Sequence, residues 1–263
     1  DQGHTFNTQT SNQTDGVKLG GPGRAGLVKS NVFKIDVLIS HKFTVTHAPA
    51  CRPFSSCATR KVPSARSSVT IKFDLPATDD GLPGAGPIRR YDWFQSLWKQ
   101  RRSEWAKQVA QDQSSVVFLG DSITQGWGDD FQGQFPGLKA ANRGISGDTT
   151  RGMLIRLEQD VLSLKPSAVV MLMGTNDLEE QASPQVIADN VKLIVEALKK
   201  HNATMPILLC QVFPSSETKK RPADKIREIN RLCAKVVRGD TQVTVLDTWT
   251  LFANEQGDAK AEE

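Results

Sequence analysis

Three short polar clusters in this sequence each follow an apolar run, and together they hold the residue types that acyl transfer needs. The first is Gly120-Asp121-Ser122-Ile123-Thr124, directly after an apolar run at 116–119. A serine between a buried strand and a turn can present its hydroxyl above the sheet as a nucleophile. Position 124 is Thr, so this is not a Gly-x-Ser-x-Gly elbow. The second cluster runs from Asn142-Arg143-Gly144 through Ile145-Ser146-Gly147 to Asp148-Thr149-Thr150. Its glycines permit a backbone N–H to point into a site. The third, Gly174-Thr175-Asn176-Asp177, offers a side-chain amide. A hydroxyl nucleophile plus amide donors for an oxyanion is what ester hydrolysis requires. Taken singly, each cluster has a plainer reading as a helix cap, a turn or a loop pair. Their occurrence at the ends of three successive strands, in this order, is the informative feature.

The elements that must position these residues are legible as alternating runs. Apolar stretches at 116–119, 138–142, 168–173, 207–212 and 243–246 read as five short buried strands. Helical patterns at 151–164, 184–200 and 222–237 fit between them, and an amphipathic helix with an aromatic face covers 90–110. Such alternation predicts an α/β fold, a parallel sheet with helices on both faces. Working residues in that architecture sit on loops at the carboxyl ends of the strands, where all three clusters fall. The glycine-rich turn at 144–150 carries no phosphate-binding pattern, so nucleotide binding is set aside.

The ends of the chain read differently. Residues 1–66 hold nine Lys/Arg against three Asp, while the remainder holds 24 basic against 26 acidic residues. The basicity therefore belongs to the N-terminal segment and argues against a nucleic-acid partner for the folded part. We expect residues 1–80 to form a poorly ordered basic segment and linker, with one strand-like run at 32–45, and residues 81–263 to form the domain. His41, His47, Cys51 and Cys57 lie close in sequence, but their spacing lacks the tight pairs of structural zinc sites, so no metal or other cofactor is expected. No apolar run reaches the roughly 18–20 residues needed to cross a bilayer. The chain opens on Asp rather than Met and shows no signal peptide, which reads as a processed or partial chain. A secreted or periplasmic location is favoured over a cytoplasmic one.

The stretch from about 93 to 263 resembles the SGNH (GDSL-type) serine hydrolases. Gly120-Asp121-Ser122-Ile123, Gly144 and Gly174-Thr175-Asn176-Asp177 are similar to its first three blocks. The run Gly-Ile-Ser-Gly-Asp-Thr-Thr-Arg and the Leu246-Asp247-Thr248 turn are similar to the branch of the platelet-activating-factor acetylhydrolase catalytic subunits and their bacterial relatives. The resemblance implies a flavodoxin-like three-layer sandwich that hydrolyses small acyl esters of lipids or carbohydrates through an acyl-enzyme. It implies Ser122 as nucleophile, with the N–H groups of Ser122 and Gly144 and the Asn176 side chain as oxyanion donors. Asp121, Asp148 and Asp177 read as loop-fixing residues.

One departure stands out. The family supplies its general base from a late Asp-x-x-His block, whereas the histidines here are His4, His41, His47 and His201. The resemblance therefore implies a chain that lacks the base, its Asp and the last helix, with impaired activity. Its uncovered sheet face would make it marginally stable or self-associating. The alternative is a non-catalytic module that binds acylated sugars or lipids. The loop at Lys219-Lys220-Arg221 is expected near the substrate rim, where it could meet an anionic group. Cys210 and Cys233 read as buried thiols.

Overall fold

The computed structural model describes residues 73–215 and 219–260. The strand-like run at 32–45 and the group of His41, His47, Cys51 and Cys57 lie outside these residues, as do His4 and most of the basic segment.

Five strands form one parallel sheet: β1 (Val116–Gly120), β2 (Ala140–Gly144), β3 (Ala168–Leu172), β4 (Ile207–Cys210) and β5 (Val243–Leu246). Their spatial order is β2-β1-β3-β4-β5, the flavodoxin-type order. Strand β1 therefore pairs on both sides, with Gly120 in register with Gly144 of β2 and Leu172 of β3. The crevice outside the carboxyl ends of β1 and β3 is the switch point where such sheets bind ligands. Helix α1 (Asp92–Gln108) precedes β1, and the short α2 (Ser122–Gly126) follows it. Then come α3 (Thr150–Asp160), α4 (Thr175–Glu179), α5 (Pro184–His201), α6 (Ala223–Val236) and α7 (Trp249–Phe252). None of the described helices is long and apolar enough to cross a membrane.

Alternation along the strands sorts side chains to two faces. Val117, Leu119, Val169, Met171, Ile207 and Leu209 pack in one cluster with Met153 and Leu157 of α3, Ile187 and Ile194 of α5, and Ile226 and Ile229 of α6. Local chemistry sets the helix starts. Ser183 caps α5 by accepting from Val186 N at 3.3 Å, and Pro184 occupies the first helical position, where its missing N–H costs nothing. The expectation that the other sheet face lies uncovered is corrected. Val116, Phe118, Val170, Leu172 and Leu208 on that face are all buried, against Trp127, Phe131, Phe135 and Phe252. The Phe118 ring lies 4.5 Å from Phe131 and 5.2 Å from Phe135, centroid to centroid. Residues 123–138 fold back over β1, so an aromatic loop and the short α7 form this layer. Among the described residues the exposed large hydrophobics are Tyr91, Trp93, Leu193 and Val245.

Two boundaries moved. Strand β2 runs two residues later than its apolar pattern predicts, through Asn142, Arg143 and Gly144. These polar side chains are satisfied inside the protein rather than in a loop. Asn142 Nδ2 donates to Thr124 O and Gly128 O at 2.7 and 2.9 Å. The Arg143 guanidinium reaches Asp112 at 2.5 Å and lies 5.0 Å from the centre of Trp105. The helix expected over 151–164 ends at Asp160, and a 3-10 turn, Leu162–Leu164, takes over the remainder. Packing onto the domain begins ahead of residue 81. Leu75 shares a buried cluster with Ile88, Phe94, Trp98 and Ile145, while Asp79 pairs with Arg90 and Arg151, both at 2.5 Å.

Candidate active site

Ser122 is the first residue of α2, exposed at the carboxyl end of β1. The turn that presents it is fixed from both sides. Asp121 caps α2 by accepting from Ile123 N at 2.9 Å, and its own carbonyl accepts from Gln125 N at 2.9 Å. Gly120 is required by crowding, because a Cβ there would fall 2.7 Å from Leu172 O and closer still to Thr124 Oγ1.

Asn176 lies in the first turn of α4, 2% exposed. Its Nδ2 donates to Asp148 O at 2.9 Å and faces Asp121 Oδ2 at 3.4 Å, so the three sequence clusters converge on this one amide. Arg221 Nη2 donates to Asn176 Oδ1 at 3.2 Å and to Glu179 at 2.8 Å. That contact fixes which end of the amide is the oxygen and leaves the N–H groups turned toward Asp121 and Asp148.

Gly144, expected to supply an oxyanion N–H, has that group engaged in this structure. Its N–H is taken by Asn142 Oδ1 at 2.8 Å, within its own strand. The need for glycine here is steric: a Cβ would lie 2.3 Å from Gln125 N and 2.9 Å from Asp121 O. Gly147 is the residue that the sequence reading passed over. Its φ is +86°, a region that favours glycine, and its N–H makes no hydrogen bond among the described residues. Its neighbours are held in place: Ser146 N donates to Gln125 Oε1 at 2.6 Å, and Asp148 N to Ile145 O at 3.0 Å. A glycine three residues after a block glycine was visible in the sequence. Nothing there distinguished which of the two N–H groups is free.

Three buried carboxyls support this arrangement. Asp148 pairs with Arg156 at 2.7 Å, both side chains fully buried. Asp177 accepts from Thr150 N at 3.0 Å and from its hydroxyl at 2.5 Å, and Asn190 Nδ2 donates to the same hydroxyl at 3.0 Å. Asp121, Asp148 and Asp177 are each pushed up to about 6, chiefly by burial. The Ile123 N–H and the Arg221 charge oppose that rise at Asp121, Arg156 opposes it at Asp148, and the Thr150 hydrogen bonds at Asp177. Each carboxylate thus holds a loop, which matches the roles that their neighbours imply.

Among the described residues His201 is the one histidine, and it is exposed at the last position of α5, six residues before β4 begins. The amino ends of the strands face away from Ser122. At the far end of the chain Thr248 is fully buried, its hydroxyl donating to Gln211 O at 2.5 Å, and Asp247 accepts from Thr250 N in the first turn of α7 at 3.0 Å. Among the described residues no cluster of His, Cys, Asp and Glu has the arrangement of a metal site.

Known proteins resemble this chain in sequence and in fold. The profile of the GDSL-like Lipase/Acylhydrolase family matches residues 118–262. Platelet-activating factor acetylhydrolase IB subunit alpha2 of Homo sapiens is 28% identical over 163 residues, covering 61% of this chain and 70% of that one. The alpha1 subunit of Rattus norvegicus is 26% identical over the same length, covering 61% and 69%. Among solved structures, a provisionally assigned acylhydrolase from Bacteroides fragilis is 25% identical with a TM-score of 0.50, covering 64% of this chain and 84% of that one. A provisionally named platelet activating factor protein from Streptococcus pneumoniae shares the fold at a TM-score of 0.58 and 18% identity, covering 64% and 83%.

Proposed function

The chain belongs to the GDSL-like Lipase/Acylhydrolase family, an ester hydrolase family, and on that premise we propose that Ser122 is the nucleophile for small acyl esters of carbohydrates or lipids. The observation that carries this reading is the convergence, at the switch point of the sheet, of an exposed Ser122, the Asn176 amide and a Gly147 N–H that has no partner among the described residues. In the proposed reaction the Ser122 hydroxyl adds to the ester carbonyl carbon and gives up its proton to solvent water, to which it is exposed. The carbonyl oxygen becomes an oxyanion that accepts hydrogen bonds from the N–H groups of Ser122 and Gly147 and from Asn176 Nδ2, which exchanges its longer contact, 3.4 Å to Asp121 Oδ2, for the substrate oxygen. Collapse expels the alcohol, which takes up a proton, and leaves an acyl-serine for water to cleave. Gly144 serves by letting α2 sit directly on β2.

Water is a weak acceptor for that proton, and no histidine occurs in residues 202–263. We therefore read this 263-residue polypeptide as slow, because removing a catalytic histidine from a serine triad costs on the order of 10⁶ in turnover, with the oxyanion donors sustaining a residual rate of about 10³–10⁴ over water. The test is hydrolysis of p-nitrophenyl acetate by this chain beside Ser122→Ala and Asn176→Ala. A weak Ser122-dependent rate that falls by about 10²–10³ in Asn176→Ala supports the reading. Equal rates for all three proteins at the background level would leave a binding module as the better description.

A further inference from the structure

The mechanism leaves one surface beside Ser122 unused. Of the four exposed large hydrophobic side chains among the described residues, the two aromatic ones, Tyr91 and Trp93, stand together. Each is about half exposed, their rings are 13° from parallel, and their centroids are 6.3 Å apart. They adjoin the site directly: a Cβ on Gly147 would lie 2.6 Å from Trp93 Cη2 and 3.0 Å from Arg89 Nη1. Ionic side chains border the rings. Arg89 pairs with Glu180 at 2.7 Å and with Glu179 at 2.8 Å, Arg221 reaches Glu179 at 2.8 Å, and the Tyr91 hydroxyl lies 3.4 Å from Glu180.

We propose that Tyr91 and Trp93 form a stacking platform for a pyranose ring, the alcohol part of an acylated saccharide whose acyl group lies at Ser122. This deepens the ester hydrolase reading and rests on it. A pyranose carries its C–H groups on one flat face and its hydroxyls around the edge. Its C–H face is attracted to an aromatic π-face, which bears the negative part of the ring quadrupole. Its hydroxyls find both donors and acceptors in Arg89, Arg221, Glu179 and Glu180. An alkyl chain fits this surface poorly, because covering the rings would also desolvate the bordering ion pairs without offering them hydrogen bonds. A quaternary ammonium fits poorly too. Two near-parallel rings do not box in a cation, and Glu179 and Glu180 already face arginines.

Isothermal titration calorimetry of the full chain with cellohexaose and with xylohexaose tests the platform without requiring turnover. The expected result is saturable binding of at least one hexasaccharide, unchanged in Leu193→Ala. Affinity falls by about tenfold or more in Trp93→Ala and in Tyr91→Ala, with thermal melts confirming that both remain folded. Trp93→Phe, which keeps a ring, retains most of the binding. Absence of saccharide binding overturns the proposal, as does binding that Trp93→Ala leaves intact. Heat released by dodecylphosphocholine instead of the saccharides assigns the surface to lipid and overturns it equally. A change of sedimentation coefficient in Trp93→Ala with no saccharide response assigns the surface to a second copy of the chain and has the same consequence. The esterase reading fails separately. Saccharide binding that survives alongside Ser122-independent background hydrolysis would sink the nucleophile and leave the platform standing.

Discussion

Replacing Arg156 with Met should cost more than most substitutions at the site itself. The Arg156 side chain is fully buried. Its Nε donates to Asp148 at 2.7 Å, and its Nη2 donates to Arg143 O at 2.8 Å and Gly120 O at 3.3 Å. One guanidinium thus ties the ends of β1 and β2 to the loop that carries Gly147. Methionine has a similar length and fills the space, so the loss is electrostatic rather than a cavity. Breaking a buried ion pair by removing one partner costs about 3–5 kcal/mol. That is a large share of the roughly 5–15 kcal/mol that holds a domain folded.

The cost should also depend on pH, with a definite sign. Asp148 is pushed up to about 6, above its unfolded value of 3.8, so the folded state holds the extra proton between those limits. Its contribution to stability is fully present below the unfolded value and is lost as pH rises through the folded one. Without Arg156 the folded value moves higher still, and the variant keeps losing stability above pH 6 where the wild type has levelled off. Urea unfolding of both proteins, followed by circular dichroism at pH 5 and pH 7.5, reads this directly. We expect a loss of about 4 kcal/mol at pH 7.5, smaller at pH 5 by about 1–2 kcal/mol. A loss below about 1 kcal/mol with an unchanged m value would refute the reasoning, as would an equal loss at both pH values.

The two loop glycines should separate by phenotype. Gly144→Ala forces a Cβ onto the Gln125 and Asp121 backbone and should lower stability by about 3 kcal/mol in urea. Gly147→Ala must adopt a positive φ beside Trp93, which costs about 1–2 kcal/mol, yet it should remove most of the Ser122-dependent p-nitrophenyl acetate rate. Thr150→Val strips the hydroxyl shared by Asp177 and Asn190, and thermal or urea unfolding should show a loss of about 1–3 kcal/mol. Cys210 and Cys233 are buried and their thiols are pushed up to about 12 by burial, so Ellman's reagent at pH 8 should leave both unmodified in the native protein and modify them in guanidinium chloride.

Much of the architecture was already legible in the chain. Hydrophobic period and cap residues are local properties, so the runs at 116–119 and 243–246 and the helix opening at Ser183-Pro184 appear where the pattern puts them. The β2 run was expected to stop at Asn142, because Arg143 and Gly144 look like loop residues until Asp112 arrives from elsewhere in the chain to take the guanidinium. The covered second face was equally hidden. Phe131 and Phe135 sit in a segment with no regular period, and only its folding back over Phe118 reveals it as core.

The site divides along the same line. Residue type and order along the chain single out Ser122 and Asn176 as candidates, since a hydroxyl and an amide at the ends of parallel strands must emerge on one side of the sheet. Tertiary structure alone decided which glycine N–H is free, because that depends on whether Asn142 turns back on Gly144. It alone brought Arg221 onto the Asn176 amide and set Trp93 against Gly147, contacts between residues 45 and 54 positions apart. Sequence records which groups a chain has to offer. The partners that occupy those groups, and so the ones left open to a substrate, are settled when distant segments meet.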